Sequence, residues 1–260
     1  MLIGGSGTDV GTSIILGPDG YLYVAGTSST DFSTAFGVPG LGGIPVFVLK
    51  IDLKLLNGDT TPAQVVVSSA IVPIPPDPFD SRSPYGVLSM RLRLGADAFG
   101  NVYFARSHVV TKYTLSARAG WNFSVGGDLT RISGFAVDAQ GYSYVSGGTT
   151  PDSLRATPGA FRTTPAVDGP TFAAKINPEG TGYVFATFLD GSPEAIAVDD
   201  ARNVYVAGAL GSSSYPSLNA IQASPGRLFC YHTSVFLGVT TQSYCCGSGF
   251  LTVLIRLEAD

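Results

Sequence analysis

The feature that most restricts the fold of this chain is an internal repeat. Four segments share one pattern: an alternating apolar stretch, a turn holding Asp or Gly, and a second stretch carrying tyrosine. They read IILGPDGYLYVAG (14–26), LGADAFGNVYFAR (94–106), FAVDAQGYSYVSG (135–147) and IAVDDARNVYVAG (196–208). The second-stretch tyrosines are Tyr23, Tyr103, Tyr144 and Tyr205. A further element follows each copy: PVFVLKID (45–52), VVTKYTL (109–115), PTFAAKIN (170–177) and LTVLIRL (251–257). It places Lys50, Lys112, Lys175 and Arg256 at one aligned position. A third element, AQVVVSSAIV (63–72), GWNFSVGG (120–127) and GYVFATFLDG (182–191), closes the first three units.

All of these stretches alternate with period two, which is the pattern of strands. Each unit is therefore read as four antiparallel strands, A to D. Four-stranded units recurring every 40–60 residues or so predict a β-propeller, because one such blade cannot bury both of its faces alone. The expected fold class is all-β, one propeller domain over residues 1–260. The blades are placed at about 6–72, 86–127, 128–191 and 192–260, with residues 1–5 joining the last. The A–B turns agree with this reading. Asp97, Asp138 and Asp199 are suited to hydrogen-bond the backbone two residues on, and Gly20, Gly100 and Gly141 tolerate positive φ. Arg202 occupies that glycine position in the fourth unit.

Composition fits the repeat. Only 13% of residues are charged, 45% are hydrophobic, and the chain holds 33 Gly and 17 Pro. Disorder would need fewer apolar residues and more charge, and a helical bundle fewer glycines. A net charge of −4 argues against a nucleic-acid partner, which calls for a basic face. No stretch has the roughly 18 uninterrupted apolar residues of a membrane span, and MLIGGSG at the start lacks the charged and apolar regions of a signal peptide.

The segments GGSGTDVGTSIILGPDGYLYVAGTSSTDF, ATPGAF followed by FAAKINPEGTGYVFATFLDG, and AVDDARNVYVAG resemble the bacterial β-propeller repeat often abbreviated SBBP. The resemblance covers nearly the whole chain and is weakest in unit two, whose B–C connection is only Ser107-His108. It implies a part of a large exported or surface bacterial protein, extracellular or at the cell surface, and it brings no catalytic motif with it.

The fourth unit ends at strand C, and MLIGGSG aligns with the end of a strand D. Residues 1–5 are thus a candidate to close the ring beside the last strand C. A homodimer forming an eight-bladed ring, or a longer propeller of which this is a fragment, are the alternatives. Antiparallel connectivity puts the long B–C loops (27–44, 148–169 and 209–249) and the 73–86 connection on one face, where binding tends to reside. The unknown ligand is expected to be a carbohydrate or a small anion, with no cofactor.

Five residues are ligand-binding candidates. Arg91 and Arg93 fall on an inner strand whose aligned positions elsewhere are small (Ser13/Ile15, Gly134/Ala136, Ala195/Ala197), and they suit an anion in the channel or an internal ion pair. Tyr231, His232 and Tyr244 surround the cysteines of the last long loop. Cys230 is expected to form a disulfide with Cys245 or Cys246 in an oxidising compartment. A metal site is disfavoured, because the C-x-H then C-C spacing matches no usual zinc pattern. For catalysis the best candidate general base is His108, in the tight turn of unit two. The function expected is a non-enzymatic binding or assembly scaffold. The alternative is a hydrolase of lactones, esters or phosphotriesters, by fold analogy alone.

Overall fold

A computed structural model describes residues 9–27, 45–55, 66–73, 92–114, 118–166, 169–210, 230–236, 239–245 and 251–257. The described residues are strands with almost no helix, and they form a β-propeller of four blades. Blade 1 is β1 (Val10–Leu16), β2 (Leu22–Thr27), β3 (Pro45–Ile51) and β4 (Val66–Pro73), hydrogen-bonded in that order. Blade 2 is β5 (Arg93–Ala96), β6 (Asn101–Arg106), β7 (Val109–Thr114) and β8 (Arg118–Ser124). Blade 3 is β9 (Arg131–Val137), β10 (Ser143–Gly148), β11 (Thr171–Ile176) and β12 (Tyr183–Leu189). Blade 4 has three strands, β13 (Ser192–Val198), β14 (Val204–Leu210) and β17 (Leu251–Leu257). Its B–C insertion carries a separate hairpin, β15 (Cys230–Phe236) and β16 (Val239–Cys245), that the sequence reading does not contain.

The register reproduces the repeat. Tyr23 lies opposite Lys50, Tyr103 opposite Lys112, Tyr144 opposite Lys175 and Tyr205 opposite Arg256. The last residue of the motif, Gly26, Gly147 or Gly208, also acquires a reason. In blades 1, 3 and 4 strand A shifts register there, leaving Thr12, Ser133 or Glu194 as the extra residue of a bulge. The bulge presses strand A onto the glycine. A Cβ on Gly26, Gly147 or Gly208 would lie 2.1, 1.9 or 2.2 Å from a carbonyl oxygen of Val10, Arg131 or Ser192. In blade 2, where β5 begins only at Arg93, Arg106 takes the place.

The core lies between blades. Tyr23, Ala25, Val46 and Val48 of blade 1 pack on Leu92, Leu94, Ala96, Val102 and Phe104 around blade 2's inner strands. Ala105 and Val110 of blade 2 meet Ile132, Val145, Phe172 and Ile176 of blade 3. Tyr144, Ala173 and Leu189 of blade 3 meet Ile196, Val204 and Val206 of blade 4. Each blade thus has a leading face, turned to the blade before it, and a trailing face, turned to the blade after.

This geometry redirects one expectation. The small face of strand A does not line a channel but is the trailing face. A Cβ on Gly95 would be 2.3 Å from the Val137 side chain of the next blade, and one on Gly134 would be 2.8 Å from the Ile196 amide nitrogen. Inner strands converge toward the axis, so the trailing residue must be small. Residues 1–5 and the closure assigned to them lie outside the described residues.

Candidate functional site

The charged and phenolic groups converge at one place in every blade, the A–B turn. In blade 2 one oxygen of Asp97 accepts the amides of Phe99 (3.0 Å) and Asn101 (2.9 Å). Its other oxygen accepts Asn101 Nδ2 at 2.6 Å and the Tyr103 hydroxyl at 2.9 Å. Asp138 of blade 3 repeats this with the amides of Gln140 and Tyr142, both at 3.0 Å, and the Tyr144 hydroxyl at 2.9 Å. Asp199 of blade 4 does so with Asn203 (amide 2.8 Å, Nδ2 2.7 Å) and the Tyr205 hydroxyl at 3.0 Å. The turn role expected of these carboxylates is borne out. The bond to the tyrosine two strand positions past the turn is what the sequence reading missed.

Blade 1 lacks an aspartate at the aligned position, where Gly17 stands. Asp19 supplies the carboxylate from two residues later and binds the Tyr23 hydroxyl at 2.6 Å. It occupies the room a side chain at 17 would need: a Cβ on Gly17 would lie 2.6 Å from the Tyr23 ring and 2.7 Å from Asp19 Oδ1.

The aligned lysines complete the clusters. Lys50 Nζ is 2.8 Å from Asp19 Oδ2 and 4.2 Å from the Tyr21 ring centroid. Lys175, only 4% exposed, lies 4.4 and 5.2 Å from the ring centroids of Tyr142 and Tyr144. Lys112 lies 5.2 Å from that of Tyr103. Lys175 is thus buried in its cluster, and Lys50 and Lys112 are half-buried. Burial would raise the Asp19 carboxyl, but bonds from Lys50, Tyr23 and the Tyr21 amide outweigh it and hold it below its ordinary range. The Asp199 carboxyl is held low by Asn203, with Tyr205 adding to the effect. Burial and the nearby carboxylate push the phenols of Tyr23, Tyr103 and Tyr144 far up, so all three act as neutral donors. Burial lowers Lys175.

The turn residue with positive φ sits on the cluster of the preceding blade. A Cβ on Gly100 would lie 3.2 Å from Lys50 Nζ, and one on Gly141 would lie 2.6 Å from the Tyr103 hydroxyl and 3.3 Å from Asp97 Oδ2. Arg202, at φ 65°, holds this position in blade 4, and its charge is felt by Tyr144 and Lys175 of blade 3. A second link joins blades 2 and 3 further out, where Trp121 Nε1 donates to the Pro178 carbonyl at 2.9 Å.

Among the described residues the pattern differs in blades 1 and 4. Leu94 and Ile196, on the leading inner strands of blades 2 and 4, are 4% and 8% exposed; Ile14 and Leu16 of blade 1 are 64% and 65% exposed. Further out on the same face Phe47, Leu49 and Ile51 are buried, so the open part is the inner strand. On the trailing face of blade 4, Ala195 and Ala197 are exposed and Tyr205 is half-buried, whereas Tyr23, Tyr103 and Tyr144 are fully buried. No described atom lies within 4 Å of a Cβ built on Gly20.

His108 forms the two-residue B–C turn of blade 2 with Ser107, which has φ 51°. The turn is pinned by its backbone: Ser107 O accepts the Ile132 amide and His108 O the Val125 amide. His108 Nε2 lies 3.6 Å from the exposed Asp128, and its Nδ1 is buried with no hydrogen-bond partner among the described residues. Ser107 Oγ accepts from Arg131, whose Nη1 also donates to the carbonyls of Asp128 and Thr130. Arg93 is half-buried on the trailing face of β5, opposite Ala105. On the inserted hairpin Tyr231 lies opposite Tyr244, His232 opposite Ser243 and Cys230 opposite Cys245. Arg91 and Cys246 lie outside the described residues. Of the described candidates, His108 and Arg93 belong to blade 2, and Tyr231, His232, Tyr244, Cys230 and Cys245 to the blade 4 insertion. Among the described residues no group of three or more His, Cys, Asp or Glu is placed to hold a metal. No described helix is long and apolar enough to cross a membrane.

No protein-family profile and no curated protein matches the chain. Solved structures do. A protein of unknown function from Bacteroides caccae is 11% identical, with a TM-score of 0.44, over 78% of this chain and 57% of its own. A protein provisionally assigned as a gluconolactonase is 14% identical, with a TM-score of 0.36, over 75% of this chain and 54% of its own. The chain spans little more than half the length of either.

Proposed function

We propose that this chain is a non-enzymatic propeller scaffold of the SBBP-repeat type, working outside the cell or at its surface and built for assembly. The observation that carries this reading is the use made of its charged groups. Asp19 and Asp97 each tie a turn to its own blade and the next blade's turn covers them, and Asp138, tied in the same way, is buried. A catalytic carboxylate needs room for a substrate beside it. These have a neighbouring blade there.

The hydrolase reading keeps one observation in its favour, the approach of His108 to Asp128 at 3.6 Å. That separation is longer than the hydrogen bond by which an acid orients a general base. Assays on lactone, carboxylic ester and phosphotriester panels decide between the two. The scaffold reading expects no turnover above that of a His108→Ala variant. Turnover that disappears with His108→Ala would overturn it.

A further inference from the structure

We infer that Asn122, on the outer strand of blade 2, is the acceptor of an N-linked glycan. This rests on the exported location in the reading above and adds a covalent modification to it.

The sequence carries the recognition unit. Asn122-Phe123-Ser124 is an N-x-S sequence with no proline at its centre, and no other asparagine of the chain has serine or threonine two residues on. A folded chain carries such a sugar only where the asparagine reaches solvent. On a strand that is decided by alternation, since successive side chains leave opposite faces. On β8 the alternation falls the right way. Asn122 and Ser124 are exposed. Phe123 between them is half-buried and turned to blade 3, where its ring meets that of Tyr183 edge to face at 5.0 Å. Thr111 Oγ1 donates to Asn122 Oδ1 at 2.7 Å. The carboxamide is thus held by its oxygen. Among the described residues no group binds its nitrogen, the atom that a sugar joins.

Blade 3 shows why this position is open. Trp121 lies opposite Lys112 as Phe185 lies opposite Lys175, so Asn122 aligns with Ala186 and Ser124 with Phe188. In blade 3 the B–C loop runs back along that outer edge as a strap. The Thr157 amide donates to the Ala186 carbonyl at 2.9 Å, and the Ala186 amide to Thr157 Oγ1 at 3.0 Å. The Phe188 amide donates to the Arg162 carbonyl at 3.1 Å. Ala186 and Phe188 are buried. The B–C connection of blade 2 is only Ser107-His108, too short to form a strap. An uncovered strand edge is a template for pairing with another chain. A bulky, hydrated sugar on Asn122 stands beside the edge and keeps a second strand from it.

In the transfer, Asn122 Nδ2 attacks the anomeric carbon of a polyprenyl-diphosphate-linked oligosaccharide. The carbon–nitrogen bond forms as the bond from that carbon to the diphosphate oxygen breaks. The lipid diphosphate leaves with the electron pair, and Nδ2 gives one proton to a base of the transferring enzyme. That enzyme also reads the Ser124 hydroxyl.

The test is peptide mapping of the full chain recovered from its native host. Trypsin, cutting after Arg118 and Arg131, releases residues 119–131, in which Asn122 is the single asparagine. We expect mass spectrometry to find this peptide carrying sugar. A glycan-releasing amidase should remove the sugar and leave aspartate at 122, a change the same spectrum reads. Ser124→Ala made in that host should lose the sugar, while Ser124→Thr should keep it. Ser124 is exposed, so both variants should fold, and a thermal melt followed by circular dichroism checks this. An unmodified peptide from chain found outside the cell overturns the inference and leaves the scaffold reading standing. Sugar that survives Ser124→Ala also overturns it. Unmodified chain kept inside the cell removes both.

Discussion

Gly141 of blade 3 rests on the hydroxyl of Tyr103 in blade 2, so close that a methyl group on Gly141 would lie 2.6 Å from it. The turn of one blade is thereby the roof of the cluster before it. Gly141→Ala should suffer twice, from the left-handed backbone at φ 91° and from the collision. Backbone strain alone costs about 1–2 kcal/mol. Gly20→Ala, at φ 81° with open space around it, should cost only that much in the single chain. Urea unfolding of the two variants side by side gives the comparison, and equal losses would contradict it.

Tyr144→Phe removes the donor that satisfies the buried Asp138 Oδ2. An orphaned buried acceptor costs about 1–3 kcal/mol, more when charged. Tyr205→Phe, above a more open cluster, should cost less. Denaturant midpoints of the two variants rank them.

The Asp19 carboxyl titrates lower in the folded chain than in the unfolded one. Its contribution is therefore complete above the unfolded value, near 3.8, and disappears as pH falls through the folded value. Asp19→Asn should destabilise by about 1–3 kcal/mol at neutral pH through loss of the charged bond to Lys50. The gap between variant and wild type should begin to narrow at about pH 4 and shrink further as pH falls. Stability curves from pH 7 to pH 2 measure it; a gap that persists at pH 2 would contradict the assignment.

Gly17→Asp restores the aspartate of the other three blades, yet it should destabilise, because Asp19 and the Tyr23 ring fill the space. Adding Asp19→Gly should recover much of the loss. A double-mutant cycle by chemical denaturation reads the coupling. Additive losses would mean that the two positions do not exchange roles.

Residues directly opposite on antiparallel strands have Cα atoms about 4.5–5.5 Å apart, within the span a disulfide bridges. Cys230 and Cys245 stand in that relation. A chain purified without reductant should show one reactive thiol out of its three cysteines by thiol titration, and three after reduction. Three before reduction would exclude the bond.

The repeat made the blades, their strand order and the Tyr–Lys register legible, because these are periodic and local. The Asp97 and Asp138 turns were legible for the same reason. Contacts between blades were not. The sequence has no mark for which way the small strand face points, so it does not tell a channel-facing Arg93 from one on the blade-to-blade face where the residue lies. The swap of Gly17 for Asp19 was hidden because it breaks the alignment by two residues. The β15–β16 hairpin lies in an insertion outside the repeat. Ile14 looks no different in sequence from Leu94, and only its exposure sets them apart.

The overlap of each turn with the blade before it gives the molecule a direction, like roof tiles laid from one eave. Among the described residues blade 1 covers nothing, whereas blade 4 packs on blade 3 through Ile196, Val204 and Val206. Removing the first tile would leave the clusters of blades 2 and 3 sheltered, and removing the last would let water reach Asp138 and Lys175. Damage at the two ends should therefore travel unequally, with loss from the blade 4 end spreading inward.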